Sequence, residues 1–192
     1  MEKLTDYLGA ELNLSSLDKM KLKYSMETIF NDLSKIFILF ILFSFLDKTS
    51  DFIYSVLALM TIRPFTGGLH FKTYSGCLTF TGIFFTTSIV LKNNIQLSNI
   101  ILIAFVFSFM TIFLLAPITS KNRPSYSNQK KLQFKLKGLC VITIHFIAYI
   151  IVNKNPYLAN AIWVFILQSI QLLIKKGVEI YEKKNESFQQ TT

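Results

Sequence analysis

Six apolar stretches divide the chain: Thr28–Leu46, Phe52–Ile62, Gly76–Leu91, Ser98–Ile118, Gly138–Val152 and Tyr157–Ile174. Crossing the hydrocarbon core of a bilayer takes about 20 helical residues, with a range of roughly 17–25. Four of the stretches approach or meet that length. Phe52–Ile62 and Gly138–Val152 are short and cross only by borrowing flanking residues. Short polar connections at Asp47–Asp51, Lys92–Gln96 and Asn153–Pro156 turn successive spans back as helical hairpins. The expected fold is therefore all-α, a polytopic membrane protein of about six transmembrane helices, with both termini on one side. Apolar residues make up 52% of the 192, including 19 Phe, and mean hydropathy is +0.45. A soluble domain has no use for that surplus, so a soluble cysteine protease is excluded.

Charge tests the span count independently, because Lys and Arg are retained on the cytoplasmic side of a membrane. With the N-terminus inside, seventeen of the 20 Lys and Arg fall in cytoplasmic segments, and only Lys48, Lys92 and Lys154 fall outside. Miscounting by one span would place the basic 121–137 loop or the 175–184 tail outside. The expectation is a multi-pass protein of the cell membrane with both termini cytoplasmic. The formal net charge of +9 is thus a topology signal. It lies between apolar blocks and forms no continuous basic face for nucleic acid. The first 23 residues lack the apolar core of a secretory signal peptide.

Three regions follow: 1–27, an amphipathic cytoplasmic segment; 28–174, the six-span membrane domain; and 175–192, a basic cytoplasmic tail. Leu4, Tyr7, Leu8 and Leu12 fall at helical spacing. That pattern suits a helix lying on the membrane surface or one packed on the cytoplasmic face of the bundle.

The segment Arg63-Pro-Phe-Thr-Gly-Gly-Leu-His70-Phe-Lys-Thr-Tyr-Ser-Gly-Cys77 is the only loop in which a thiol and an imidazole occur together. Pro64 removes a helical hydrogen bond, and Gly67 and Gly68 permit backbone angles that other residues avoid. A broken or re-entrant loop is expected between spans two and three. On a straight helix His70 and Cys77 would stand about 10.5 Å apart along the axis, beyond hydrogen-bond reach. A working dyad requires the chain to fold back, with Gly68 and Gly76 supplying the freedom. Cys77 should occupy the first turn of the third span, where unpaired amides and the helix dipole favour the thiolate. The plain alternatives are a small packing cysteine and a solvated histidine.

Cys140 and His145 form a rival pair, but they point to different faces of one helix with no Gly or Pro between them. Cys140 reads as a packing residue, and His145 as a side chain hydrogen-bonded to a facing helix. The two cysteines lie in separate apolar blocks, which argues against a disulfide framework. No Cys/His cluster has metal-ligand spacing, so neither metal nor cofactor is expected.

The pattern Arg63-x-x-x-Gly67-Gly68-x-His70, with Cys77 seven residues on, resembles the accessory gene regulator protein B family (AgrB). These are membrane endopeptidases that process autoinducing-peptide precursors. Ala116-Pro117-Ile-Thr-Ser-Lys121-Asn122-Arg123-Pro124 is similar to the family's Ala-Pro element and basic cluster, with Asn122 where a third basic residue is common. Lys21-Leu-Lys23-Tyr24-Ser25-Met26-Glu27 resembles its entry to the first span, with Ser25 where Gly is common. The resemblance implies Cys77 as nucleophile and His70 as general acid/base. Arg63 either binds a carboxylate of an acidic propeptide tail or anchors the span end. Lys121 and Arg123 either contact substrate or serve topology. Glu27 either orients His70 or is merely interfacial. The implied partners are a short amphipathic, AgrD-like propeptide, membrane lipid and a second copy of the chain in a homodimer.

The chemistry expected is attack of the Cys77 thiolate on a propeptide carbonyl, with the oxyanion held by backbone amides around Gly76 and Cys77. His70 protonates the leaving amine, and an internal thiol or hydroxyl then releases a cyclic thiolactone or lactone from the thioester. Two other readings use the same residues: a small transporter or channel with a Gly-broken binding loop, which needs a second broken helix, and a purely structural membrane partner.

Overall fold

The protein was analysed as a computed structural model, which describes residues 7, 11–12, 14–69, 71, 73–96, 100–118, 126–152 and 155–189. The described elements are helical: α1 (Ser16–Phe45), α2 (Thr49–Thr66), α3 (Tyr74–Asn94), α4 (Ile101–Leu115), α5 (Asn128–Ile151) and α6 (Pro156–Gln189). One helix matches each predicted stretch, and there are no strands among the described residues. The helices start where local chemistry satisfies their first amides. The hydroxyls of Ser15, Thr73 and Ser127 accept from Asp18 N, Gly76 N and Lys130 N respectively, as N-cap residues do.

Span lengths differ from expectation in three places. The fifth helix begins at Asn128 and has 24 residues, because its basic first turns Lys130–Lys137 are good helix formers and extend the short apolar core. The fourth has only 15 residues and stops at Ala116, whose bond to Pro117 is cis. The second helix does not break at Pro64. It runs through to Thr66, because a proline there forfeits a single backbone bond, and the chain departs at Gly67 with φ +77°. Four helices, α1, α3, α5 and the 156–182 part of α6, are long and apolar enough to cross a membrane.

The chain forms two compact units, 1–49 and 50–192. In the first, Leu39 and Phe43 of α1 are buried, and Lys35 bonds Asp32 one turn away at 3.0 Å. A turn with Asp47 at φ 54° follows the helix, and Thr49 donates to the Ser44 hydroxyl at 3.2 Å.

In the second unit α6 is the central rod, packed against α3, α4 and α5. Residues 160–165 are all buried, and Ile162, Val164 and Phe165 are fully so. Aromatic edges fill the gaps: Phe52 against Phe85 at 5.2 Å, Phe105 against Phe146 at 5.1 Å. The opposite faces are greasy. Leu102, Ile103 and Leu114 are each about 70% exposed, a surface that water would not tolerate and lipid does. Because lipid is as apolar as leucine, close packing and polar contacts must hold such a bundle together.

Candidate functional site: a polar layer around Cys77

Two polar layers cross the second unit. In the first, the Asn160 side-chain amide donates to the Asp51 carbonyl and to the Ser55 hydroxyl, both at 2.8 Å. Ser55 and Ser88 share a hydrogen bond at 3.4 Å. Asp51 pairs with Lys92, whose ammonium also lies 5.6 Å from the Tyr157 ring. Tyr157 in turn stacks on Tyr54 at 4.2 Å. These contacts fix α2, α3 and α6 against one another.

From that layer, eleven residues along each helix lead from Ser55 to Thr66, from Ser88 to Cys77 and from Asn160 to Gln171. Eleven residues are about 16 Å and just over three turns, so each end point keeps nearly the face of its starting residue. All three are buried: Thr66 at 0%, Cys77 at 8% and Gln171 at 2% exposure. Because α3 and α6 pack together, the equal counts put Cys77 and Gln171 at matching depths.

The break after α2 lies at this depth. Gln168 donates to the Thr66 hydroxyl at 3.0 Å and to the Gly67 carbonyl at 2.7 Å. The Ile118 amide donates to the Thr66 carbonyl at 3.0 Å. A Cβ on Gly67 would overlap the Ile118 carbonyl oxygen, so glycine is required there by close approach as well as by its φ. Residues about fifty apart in sequence, Gly67 and Ile118, therefore share one backbone junction. Arg63 folds back to donate to the Leu69 carbonyl at 3.3 Å. Gly68 is buried between Arg63 and Gln171, and a Cβ there would stand 3.3 Å from Gln171 Oε1 and 3.4 Å from the guanidinium carbon.

Parts of two of the segments that carried the resemblance, Arg63–Gly68 and Ala116–Ile118, thus meet at one junction. The family model described as Accessory gene regulator B matches residues 1–172. An AgrB-like protein of Clostridium beijerinckii is 32% identical over 179 residues, covering 91% of this chain and 88% of the relative. The chain belongs to the accessory gene regulator B family. AgrB-like proteins of Clostridium perfringens strain SM101 and Clostridium acetobutylicum are 24% and 27% identical, covering 91% and 74% of this chain. No solved structure matches.

Within this AgrB-family chain, Cys77 lies in the first turn of α3 as its spacing predicts. Its amide donates to the Thr73 carbonyl at 3.2 Å, and the neighbouring Gly76 amide donates to the Thr73 hydroxyl at 3.2 Å. The Gly76 amide is thus engaged in the helix cap and the Cys77 amide in the first turn of the helix, so neither is an open donor for an oxyanion. Gly76 is also helical rather than a hinge. It leaves room for the cap, since a Cβ there would sit 2.8 Å from Thr73 Oγ1. Both cysteines are thiols.

Arg63, Gly67 and Gly68 meet at one junction, and Cys77 is buried in the first turn of α3. Glu27 is exposed on α1, in the other unit. His70, Lys121 and Arg123 lie outside the described residues. The rival pair does not assemble. Cys140 is exposed rather than packed, and His145 bonds the Val141 carbonyl of its own helix at 2.9 Å instead of a facing one. A ring nitrogen in lipid takes the nearest carbonyl, one turn back. His145 also meets the Phe165 ring, edge-on at 4.9 Å. It borders an open cavity of about 360 Å³ with Tyr54, Thr61 and Asn155. Among the described residues no three His, Cys, Asp or Glu converge as a metal set.

Sequence reasoning missed Gln168, Gln171 and Asn160. Their signal was present: three amides in the last apolar stretch, at helical spacing, where polar side chains are expensive.

Proposed function

We propose that this chain is a membrane-embedded cysteine endopeptidase that trims a short propeptide of the accessory gene regulator system. The observation that carries the reading is the setting of Cys77: a buried thiol in the first turn of α3, level by residue count with the junction where the Gly67–Gly68 break meets Arg63 and the α6 amides. Arg63, spent on the Leu69 carbonyl, holds the loop that carries His70, and this supports the anchoring role over capture of an acidic tail.

The thiolate attacks a propeptide carbonyl, forming a C–S bond as the carbonyl pair moves to oxygen. The intermediate collapses with cleavage of the C–N bond, and His70 gives its proton to the departing amine. The N-terminal part remains as a Cys77 thioester. An internal thiol or hydroxyl of that part attacks the same carbonyl, closes the ring and returns Cys77. Thioester exchange is nearly isoenergetic, and exclusion of water from the layer protects the intermediate from hydrolysis. The basic loops support six crossings with both termini cytoplasmic, which puts the thiol near the inner leaflet.

The test is co-expression with a candidate propeptide. Cys77→Ser and His70→Ala should abolish cleavage while inserting normally, and Cys140→Ser should process at the parental rate. Processing by Cys77→Ser at the parental rate would remove the peptidase reading.

A further inference from the structure

Attack on a carbonyl needs a donor for the oxygen that becomes anionic, and the amides of Gly76 and Cys77 are already spent on Thr73. Gln168, the first amide of α6 near the loop, spends its N–H groups on Thr66 and Gly67. Gln171 differs. It is 2% exposed, yet among the described residues neither Nε2 nor Oε1 has a hydrogen-bond partner. Buried amides left unsatisfied are rare and usually await a water, an ion or a ligand. The Gln171 amide lies beside Gly68 and at the depth of Cys77, since both residues stand eleven from the Asn160–Ser55–Ser88 contact on packed helices. The absence of a Cβ at Gly68 leaves it room to turn.

We propose that the Gln171 side-chain amide is the oxyanion donor of this site, its Nε2 hydrogen-bonding the carbonyl oxygen of the group that Cys77 attacks. The inference rests on the peptidase reading. As the Cys77 Sγ–carbon bond forms and the carbonyl pair moves to oxygen, the hydrogen bond strengthens. It weakens again when the C–N bond breaks and the carbonyl is restored. Such a donor acts on transition-state charge, and removing one lowers the rate of acyl transfer by about 100-fold or more.

The test separates attack on a carbonyl from attack on saturated carbon, which develops no oxyanion. In the full-length Cys140→Ser chain in lipid vesicles, Cys77 is the one remaining thiol. Its acylation by p-nitrophenyl acetate is followed by mass spectrometry, and its alkylation by iodoacetamide is measured in parallel. Gln171→Leu and Gln171→Glu should each slow acylation about 100-fold and leave alkylation within about 2-fold. Gln171→Asn should recover part of the loss. An unchanged ratio of the two rates in Gln171→Leu overturns the proposal, as does an equal fall of both rates in both variants, which would make Gln171 a packing residue. Failure of the peptidase reading shows elsewhere, as propeptide cleavage by Cys77→Ser.

Discussion

The Asn160 side chain on α6 reaches Asp51 and Ser55 on α2 with a single amide group, two hydrogen bonds of 2.8 Å from one nitrogen. Polar bonds between membrane helices average about 0.6 kcal/mol and reach about 1.7 kcal/mol. Asn160→Leu should therefore lower stability by about 1–3 kcal/mol, read as a lower midpoint in detergent unfolding. An unchanged midpoint would mean that the layer does not set the helix register.

Asp51 and Lys92 are each only 13% exposed at their side chains. Lys92→Met leaves a mostly buried carboxylate without its cation, and should cost up to about 3 kcal/mol. The double variant Asp51→Leu/Lys92→Met removes both charges and should recover most of that loss. A double variant as unstable as the sum of the singles would show that the two residues act separately.

Glycine substitutions should divide sharply by position. Gly67→Ala meets both a positive φ and the Ile118 carbonyl, and should abolish propeptide processing and reduce the yield of folded protein. Gly177→Ala has nothing within 4 Å of the added methyl. Inside α6 it should be neutral or stabilising by up to about 1 kcal/mol. Equal yields and activities of the two variants would contradict the junction.

Gln168→Leu removes both bonds to the end of α2. Hydrogen exchange at Gly67–Leu69 should accelerate at least about tenfold, the effect of losing roughly 1.4 kcal/mol of local protection, while α4 is unaffected. Unchanged exchange would show that Ile118 alone holds the break.

Topology is open to direct labelling in a Cys77→Ser/Cys140→Ser background. Asn93→Cys, beyond the end of the third apolar stretch, should react with an impermeant maleimide on intact cells. Ser127→Cys should react only after permeabilisation. Labelling of both from outside would break the six-span arrangement.

Much of the fold was legible because each span must satisfy its backbone internally, so apolar length and basic loops nearly determine the helices. The end points were not legible. Asn128–Lys137 looked like a loop because of its charge, although Lys, Gln and Leu are strong helix formers. Pro64 looked like a break because proline lacks an amide hydrogen and crowds the carbonyl one turn back, yet the helix carries it and ends two residues later, at Thr66. In the site, Cys77 and the Gly67–Gly68 pair could be read from local chemistry. The contributions of Ile118, Gln168 and Gln171 depend on which helices are neighbours, and hydropathy does not say that. The commitment of the Gly76 and Cys77 amides to Thr73 was hidden as well, since a threonine before a helix is only one of several possible caps.

The matched intervals from Ser55 to Thr66, Ser88 to Cys77 and Asn160 to Gln171 act as three rulers of equal length. Inserting one residue between Asn160 and Gln168 would swing the following side chains through about 100°, carrying both glutamines off the loop while leaving the greasy exterior almost unchanged. The outward residues of these helices can be exchanged for other apolar side chains at little cost, but the count between the two layers cannot be altered without separating the thiol from its surroundings.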